Sequence, residues 1–262
     1  MTCLITGASS GLGERFARLA AADTSDVVLV ARTAEKLNTL GERLTREHGV
    51  RAIVIPRDLS DPASAESIVS ELGDRGVQID VLINNAGFGT WGPFVETSPD
   101  EEHRMITVNI LSLTLLTKRL LPGMVARRRG RVMNVASTAA FQPGPLMAVY
   151  YASKAYVLSL SEALANEVEG TGVTITCLCP GPTATGFQAR AQMGRSRLFR
   201  AMSVMDADRV AREGYDGMNA GRAVVIPGLM NKVTAQANRI TPRAVVRKIV
   251  RRLNSAVEPV RA

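Results

Sequence analysis

Tyr150 and Lys154 stand four residues apart, and Ser137 lies thirteen residues upstream of the tyrosine. Side chains at i and i+4 share one face of a helix, so Lys154 can serve Tyr150, whereas Tyr151 points about 100° away. A free phenol titrates near ~10 and is a poor acid or base at neutral pH; an ammonium fixed beside it favours the phenolate and draws the pKa toward the working range. The pair is therefore equipped for proton transfer, and Ser137 is placed to hydrogen-bond the oxygen that Tyr150 protonates. A Tyr/Lys pair at this spacing is also a common surface ladder. The residues around it decide between the two readings.

Those residues begin at the N-terminus. Thr2-Cys3-Leu4-Ile5-Thr6 reads as a short buried strand, glycines follow at Gly7, Gly11 and Gly13, and Glu14 to Ala20 reads as a helix. Gly7 permits a tight turn, Gly11 lets the backbone approach a pyrophosphate, and Gly13 allows close helix packing; the helix N-terminus offers free N–H groups to an anion. The spacing departs from G-x-G-x-x-G, and a glycine pattern alone is a weak signal. The next strand, Asp26 to Ala31, ends in Arg32-Thr33. An NAD site needs an acid at that point for the ribose hydroxyls, but Arg32 is a guanidinium suited to a 2′-phosphate, with the Thr33 hydroxyl beside it. This predicts NADP(H); the structural alternative is an arginine that merely ends a strand in solvent.

Thr6 to Gly13, Asn84-Asn85-Ala86-Gly87, Asn109, Ser137, Tyr150-x-x-x-Lys154 and Pro180-Gly181-Pro182-Thr183-Ala184-Thr185 occur in the order seen in short-chain dehydrogenases/reductases. The chain resembles that family over roughly residues 1 to 226. The resemblance implies that Ser137 orients a carbonyl, Tyr150 is the acid/base, Lys154 also binds the nicotinamide ribose, and Asn109 helps hold a proton-relay water. It implies cofactor contacts at Gly7, Ser9, Ser10, Gly11, Leu12 and Gly13, at Asp58-Leu59 (adenine), at Asn85, Ala86 and Gly87 (adenosine side), and at Pro180, Gly181, Thr183 and Thr185 (nicotinamide). Asp58 has an alternative role as a cap for the helix beginning near Asp61-Pro62. The implied reaction is hydride transfer between the nicotinamide and a carbonyl/alcohol substrate. The alternative is a nucleotide-binding regulatory or scaffold protein that keeps the fold without turnover. The family also implies a homodimer or homotetramer, joined through the helix after Ser98-Pro99 and the helix of Tyr150.

Composition agrees with one α/β unit: 262 residues at 46% apolar content can bury one large core. Short β-branched runs near 2–6, 26–31, 51–56, 78–84, 131–136, 173–179 and 223–226 alternate with helical patterns. They predict a Rossmann-like, doubly wound parallel seven-stranded sheet with helices on both faces and ligands beyond the carboxyl ends of the strands. No run of about 18 apolar residues could span a bilayer, and no charged-then-apolar leader opens the chain. Cys3, Cys177 and Cys179 fall in apolar strand-like segments. They are expected to be buried, reduced and structural, without a metal, which suits a reducing cytosol.

The resemblance implies that residues 186 to 221 cover the substrate; Met193, Leu198, Phe199, Met202, Val204 and Met205 would give an apolar lining, although helix packing explains them equally well, and Phe88, Trp91 and Phe94 could form a second wall. Trp91 could equally anchor a loop. The formal charge of +8 resides in the tail: residues 222 to 262 hold nine Lys/Arg and one acid, leaving 23 bases against 23 acids before them. Thr241 as N-cap and Pro242 as first helical residue start a helix whose Val245, Val246, Ile249, Val250 and Leu253 form one stripe, with cations on the rest. That stripe can pack on the domain or a second subunit, the favoured reading, or residues 229 to 253 can lie on an anionic membrane, at the inner surface. Nucleic acid is disfavoured, since no aromatic stacking platform accompanies the cations.

Overall fold

Apolar β-branched runs can satisfy their backbone polar groups only by pairing, and when buried on both faces they form parallel sheets. A computed structural model describes residues 1–187, 191 and 204–256, and every structural statement concerns those residues. The strands are β1 (Thr2–Thr6), β2 (Asp26–Ala31), β3 (Ala52–Pro56), β4 (Val81–Asn84), β5 (Gly130–Val135), β6 (Val173–Leu178) and β7 (Val224–Val225). All pair in parallel in the order β3-β2-β1-β4-β5-β6-β7. The order reverses between β1 and β4, so a crevice opens there beyond the strand ends.

Alternate residues serve opposite faces. On β1, Leu4 packs with Val28, Val30, Leu82 and Val132, while Cys3 and Ile5 pack with Val27, Leu29 and Ile83. The first face is covered by α3 (Ser64–Asp74), α5 (Leu113–Ala126) and α6 (Ala148–Glu167); the second by α1 (Gly11–Ala22), α2 (Ala34–His48) and α7 (Ala207–Asn219). α4 (Pro99–Ile106) begins at Ser98, whose hydroxyl accepts from the Glu101 N–H, and runs through a π-helical turn, Thr107–Ser112, into α5. The chain closes with α8 (Leu229–Ile240) and α9 (Arg243–Asn254).

Two expectations change. Thr241 ends α8 and Pro242 is the N-cap of α9, one residue later than predicted, because the Thr241 N–H is still bonded to the Ala237 carbonyl. The expected cover at 186–221 is also shorter: Val210, Ala211, Tyr215 and Met218 are buried, the last three in the core between α1 and the sheet. Met193, Leu198, Phe199 and Met202 lie outside the described residues.

Candidate active site

A single cleft of about 1000 Å³ runs along the strand ends on both sides of the β1/β4 reversal. Its nucleotide end is built from main chain. Gly7 and Gly11 have φ of 67° and 60°, which only glycine adopts without strain. A Cβ on Gly13 would overlap the Gly7 carbonyl oxygen, so the glycine lets α1 sit against the turn. Ser10 caps α1 without a side-chain bond to it, leaving the first N–H groups of the helix directed at the cleft. The turn is stapled across the reversal: Thr6 Oγ1 accepts from the N–H groups of Asn85 and Ala86, both at 3.0 Å, and Asn85 Nδ2 donates to the Thr6 carbonyl at 2.9 Å.

Arg32 and Thr33 line the far corner with Arg57, Asp58 and Leu59. Arg57 is held by Glu71 at 2.9 Å, whereas Arg32 is exposed and has no ion-pair partner among the described residues. Thr33 is the N-cap of α2 and makes no side-chain cap bond. A guanidinium, a hydroxyl and a helix N-terminus thus line the same corner of the cleft. Asp58 Oδ1 accepts from the backbone and the hydroxyl of Ser60. Burial raises the Asp58 pKa, but those bonds, Arg32 and Arg104 together hold it below the usual carboxylate value. The helix predicted to start near Asp61-Pro62 begins at Ser64, whose hydroxyl donates to the Asp58 carbonyl at 2.7 Å.

The cleft fits an extended dinucleotide: glycine turn, strand ends and cation lie along one wall, and a Cβ on Gly87 would sit 3.1 Å from Asn109 Oδ1 and 3.3 Å from Lys154 Nζ. Beyond it, α6 presents Tyr150 and Lys154, both buried, with Lys154 Nζ 5.9 Å from the centre of the Tyr150 ring. Tyr151 turns away as expected and meets Asn254 Oδ1 at 3.3 Å. Ser137, at the end of β5, donates to the Pro180 carbonyl at 3.3 Å, accepts from the Ala139 N–H at 3.1 Å and interacts with the Tyr150 phenol.

The electrostatics differ from expectation. Burial pushes the Tyr150 phenol well above its ordinary value, the Ser137 hydrogen bond draws it partly back, and Tyr151 adds to the rise. Lys154 Nζ donates to the Val135 carbonyl at 2.8 Å and is itself desolvated, its pKa lowered by burial to about 8. In the free protein, then, Tyr150 is a protonated phenol.

Asn109 lies on the π-helical turn. Its Nδ2 donates to the Phe88 carbonyl at 2.9 Å and to Ser153 Oγ at 3.0 Å, while its Oδ1 accepts from the Phe88 N–H at 3.1 Å. Ser153 Oγ donates to the Tyr150 carbonyl at 2.7 Å, so Asn109 frames the Tyr150 helix. The sequence reading missed Ser153, although a serine between the tyrosine and the lysine was the available signal. It also missed a buried polar rung beneath Asn85, in which Asn84 Nδ2 donates to Asn134 Oδ1 and Thr117 Oγ1, and Asn134 Nδ2 donates to Ser161 Oγ.

Of the predicted site residues, Gly13 and Asn109 lie behind the wall and all the others line the cleft. Phe88 lines it too; Phe94 is exposed outside it, and Trp91 anchors a loop by donating to the Asn254 carbonyl at 2.7 Å. The substrate end is apolar, walled by Phe88, Met147, Phe187, Met205, Val246 and Ile249. The Phe187 ring lies 5.3 Å from the Tyr150 ring. The α9 stripe is split: Val246 and Val250 are buried against the core, Leu253 is half-buried, and Val245 and Ile249 remain exposed. Its end is latched by the fully buried Asn254, whose Nδ2 donates to the Pro145 carbonyl at 3.0 Å. All three cysteines are buried and free, and Cys177 and Cys179 face each other at 3.7 Å between sulfurs. No metal-binding cluster occurs among the described residues.

Comparison with known proteins agrees with this geometry. The family model described as short chain dehydrogenase matches residues 1–195. Ketoacyl reductase HetN of Nostoc sp. is 38% identical over 180 residues, which cover 69% of this chain and 62% of HetN. Matches to the first curated relatives span only 59%, 62% and 52% of those proteins' own lengths. A short-chain dehydrogenase from Sphingobium yanoikuyae, solved in complex with NADPH, superimposes with a TM-score of 0.80 at 32% identity, covering 93% of this chain and 97% of that one. A 7beta-hydroxysteroid dehydrogenase superimposes with a TM-score of 0.85 at 27% identity, over 97% and 96% of the two chains. The match of the family model across most of the chain, on a fold whose cleft holds the motifs in the same order, establishes that this chain belongs to the short-chain dehydrogenase/reductase family of oxidoreductases.

Proposed function

We propose that the protein is an NADP(H)-dependent reductase of apolar ketones or aldehydes, 3-oxoacyl compounds among them. The observation that carries this reading is one continuous cleft with an exposed Arg32 at one end, Tyr150 beside Ser137 and Lys154 in the middle and apolar side chains beyond them. Bound in the cleft, the nicotinamide cofactor supplies the hydride. The protein's own groups do the rest. The Ser137 hydroxyl hydrogen-bonds the substrate carbonyl oxygen, and Tyr150 donates the proton that completes the alcohol. Lys154, beside Gly87, anchors the ribose, and its charge stabilises the phenolate that Tyr150 becomes. Asn109 and Ser153 hold the Tyr150 helix in register against the Phe88 backbone. Arg32 and Thr33 take the 2′-phosphate. The substrate preference rests on the six apolar wall residues and on the ketoacyl reductase relative.

The test is consumption of NADPH, and separately of NADH, across a panel of aldehydes, ketones, 3-oxoacyl thioesters, steroids and sugars. The reading predicts turnover of apolar carbonyls with NADPH favoured. Turnover confined to sugars, or favoured by NADH, contradicts it; tight NADPH binding with no turnover on any panel member supports a regulatory nucleotide binder.

A further inference from the structure

Helix α8 is inside out. Its buried positions are Asn231 and Ala235; Asn231 Nδ2 donates to the Pro227 carbonyl at 2.8 Å, and Asn238 Nδ2 donates to Gln142 Oε1 at 2.8 Å. Its large apolar residues face outward, with Leu229 78%, Met230 72%, Val233 54% and Ile240 87% exposed. At ~100° per residue, Leu229, Val233 and Ile240 fall within about 40° of one another and make a single ridge. The exposed edge of α9, Val245 and Ile249, adds to it. Leu229, Met230, Val233 and Ile249 also line the cleft, so the ridge borders its mouth. Such a surface is unfavourable in water until something covers it.

The charges around the ridge indicate what covers it. No acid occurs between Asp216 and Glu258. Arg243, Arg247, Lys248, Arg251 and Arg252 are all exposed and, among the described residues, form no ion pair. On α9, Lys248 and Arg252 flank Val245 and Ile249 on the side away from the core. A second copy of the chain would set these cations against each other without an acid to offset them. Nucleic acid would meet the cations but leave the ridge bare, and α8 and α9 contain no aromatic residue to stack a base. An anionic bilayer satisfies both, because its headgroups take the cations while its acyl boundary takes the ridge.

We propose that α8 and the outer edge of α9 form a docking face for an anionic lipid surface. The cleft opens within that face, so an apolar carbonyl compound passes to Tyr150 from the lipid phase; this second step rests on the reductase reading, whereas docking does not. The face differs from the stripe expected from the sequence, whose Val246 and Val250 are spent on the core.

Co-sedimentation of the full chain with phosphatidylcholine vesicles, with and without phosphatidylglycerol, tests it. The wild type is expected to bind the phosphatidylglycerol vesicles roughly tenfold more strongly than phosphatidylcholine alone. Ile240→Glu with Val245→Glu, at positions outside the cleft wall, is expected to lower that binding about tenfold with every cation intact, leaving the thermal midpoint and NADPH binding unchanged. Lys248→Glu with Arg252→Glu should remove the preference for the anionic lipid. Wild type left in the supernatant with both vesicles overturns the proposal, as does equal binding by the apolar variant, which would mark plain polyanion attraction. Light scattering that shows a dimer dissociated by Ile240→Glu would assign the ridge to a second copy instead. No arm requires turnover, so failure of docking and failure of the reductase reading are separable.

Discussion

The nucleotide end of the cleft is made of main chain at strand ends, whereas the substrate end is made of side chains gathered from loops and helices between Phe88 and Ile249. At the first end, Gly7, Gly11, the α1 N-terminus and the Thr6–Asn85 staple all lie on or beside the parallel sheet, whose register leaves them little freedom. At the second, Val246 and Ile249 come from α9, whose end is tied by the Asn254 latch. Backbone-built sites bind the part common to every reaction. Side-chain-built walls decide which substrate enters. The comparison predicts that damage at the first end abolishes cofactor binding, while damage at the second alters substrate and stability without touching it.

The largest effect is expected at Gly13. An alanine there collides with the Gly7 carbonyl, and relieving an overlap of that kind costs roughly 3 kcal/mol, so NADPH affinity measured by titration should fall on the order of a hundredfold. Unchanged affinity would mean that the turn is not the cradle.

A pH effect of similar size attaches to Lys154. Its folded pKa of about 8 lies below the ordinary ~10.4, so between those values the unfolded chain binds more protons than the folded one. The penalty for burying this group is fully present below pH ~8 and disappears as pH rises toward ~10.4. Wild-type stability minus that of Lys154→Met should therefore increase across that window by on the order of 3 kcal/mol. Urea unfolding of both proteins at its two ends measures this, and a flat difference contradicts a desolvated ammonium.

At the cation corner, Arg32→Ala should reduce the preference for NADPH over NADH by roughly tenfold to a hundredfold, as expected for a lost hydrogen bond to a charged group. Paired titrations decide it, and an unaltered ratio would return Arg32 to the role of a strand-end arginine. The smallest effect sharpens the other side of the comparison. Asn254→Ala leaves the half-buried Pro145 carbonyl and the buried Tyr151 hydroxyl without their partner, a loss of about 1–2 kcal/mol and several degrees in thermal midpoint, with NADPH affinity unchanged. Lost NADPH binding in this variant would show that the two ends are not independent.

The same division explains what was legible in the sequence. The seven strands, the glycine turn, Arg32 and the Tyr150–Lys154 face were readable because each is set by short-range pattern, period two on strands or i to i+4 on a helix. Asn254 was not, since its partners Tyr151 and Trp91 lie 103 and 163 residues away and leave no periodic trace. The inward asparagines of α8, Asn231 and Asn238, carry no sequence signal of their own, and only the fold reveals which side is covered. The phenol's raised pKa escaped notice because spacing records the ammonium's proximity and not the burial of both groups.

The account turns on Tyr150 as the proton donor in a cleft that binds cofactor without it. The most direct measurement sets wild type beside Tyr150→Phe, following NADPH binding by titration and NADPH consumption with the best carbonyl substrate. Unchanged affinity with turnover lowered by about 10²–10⁴-fold is the predicted result. Turnover at the wild-type rate in Tyr150→Phe would contradict the account.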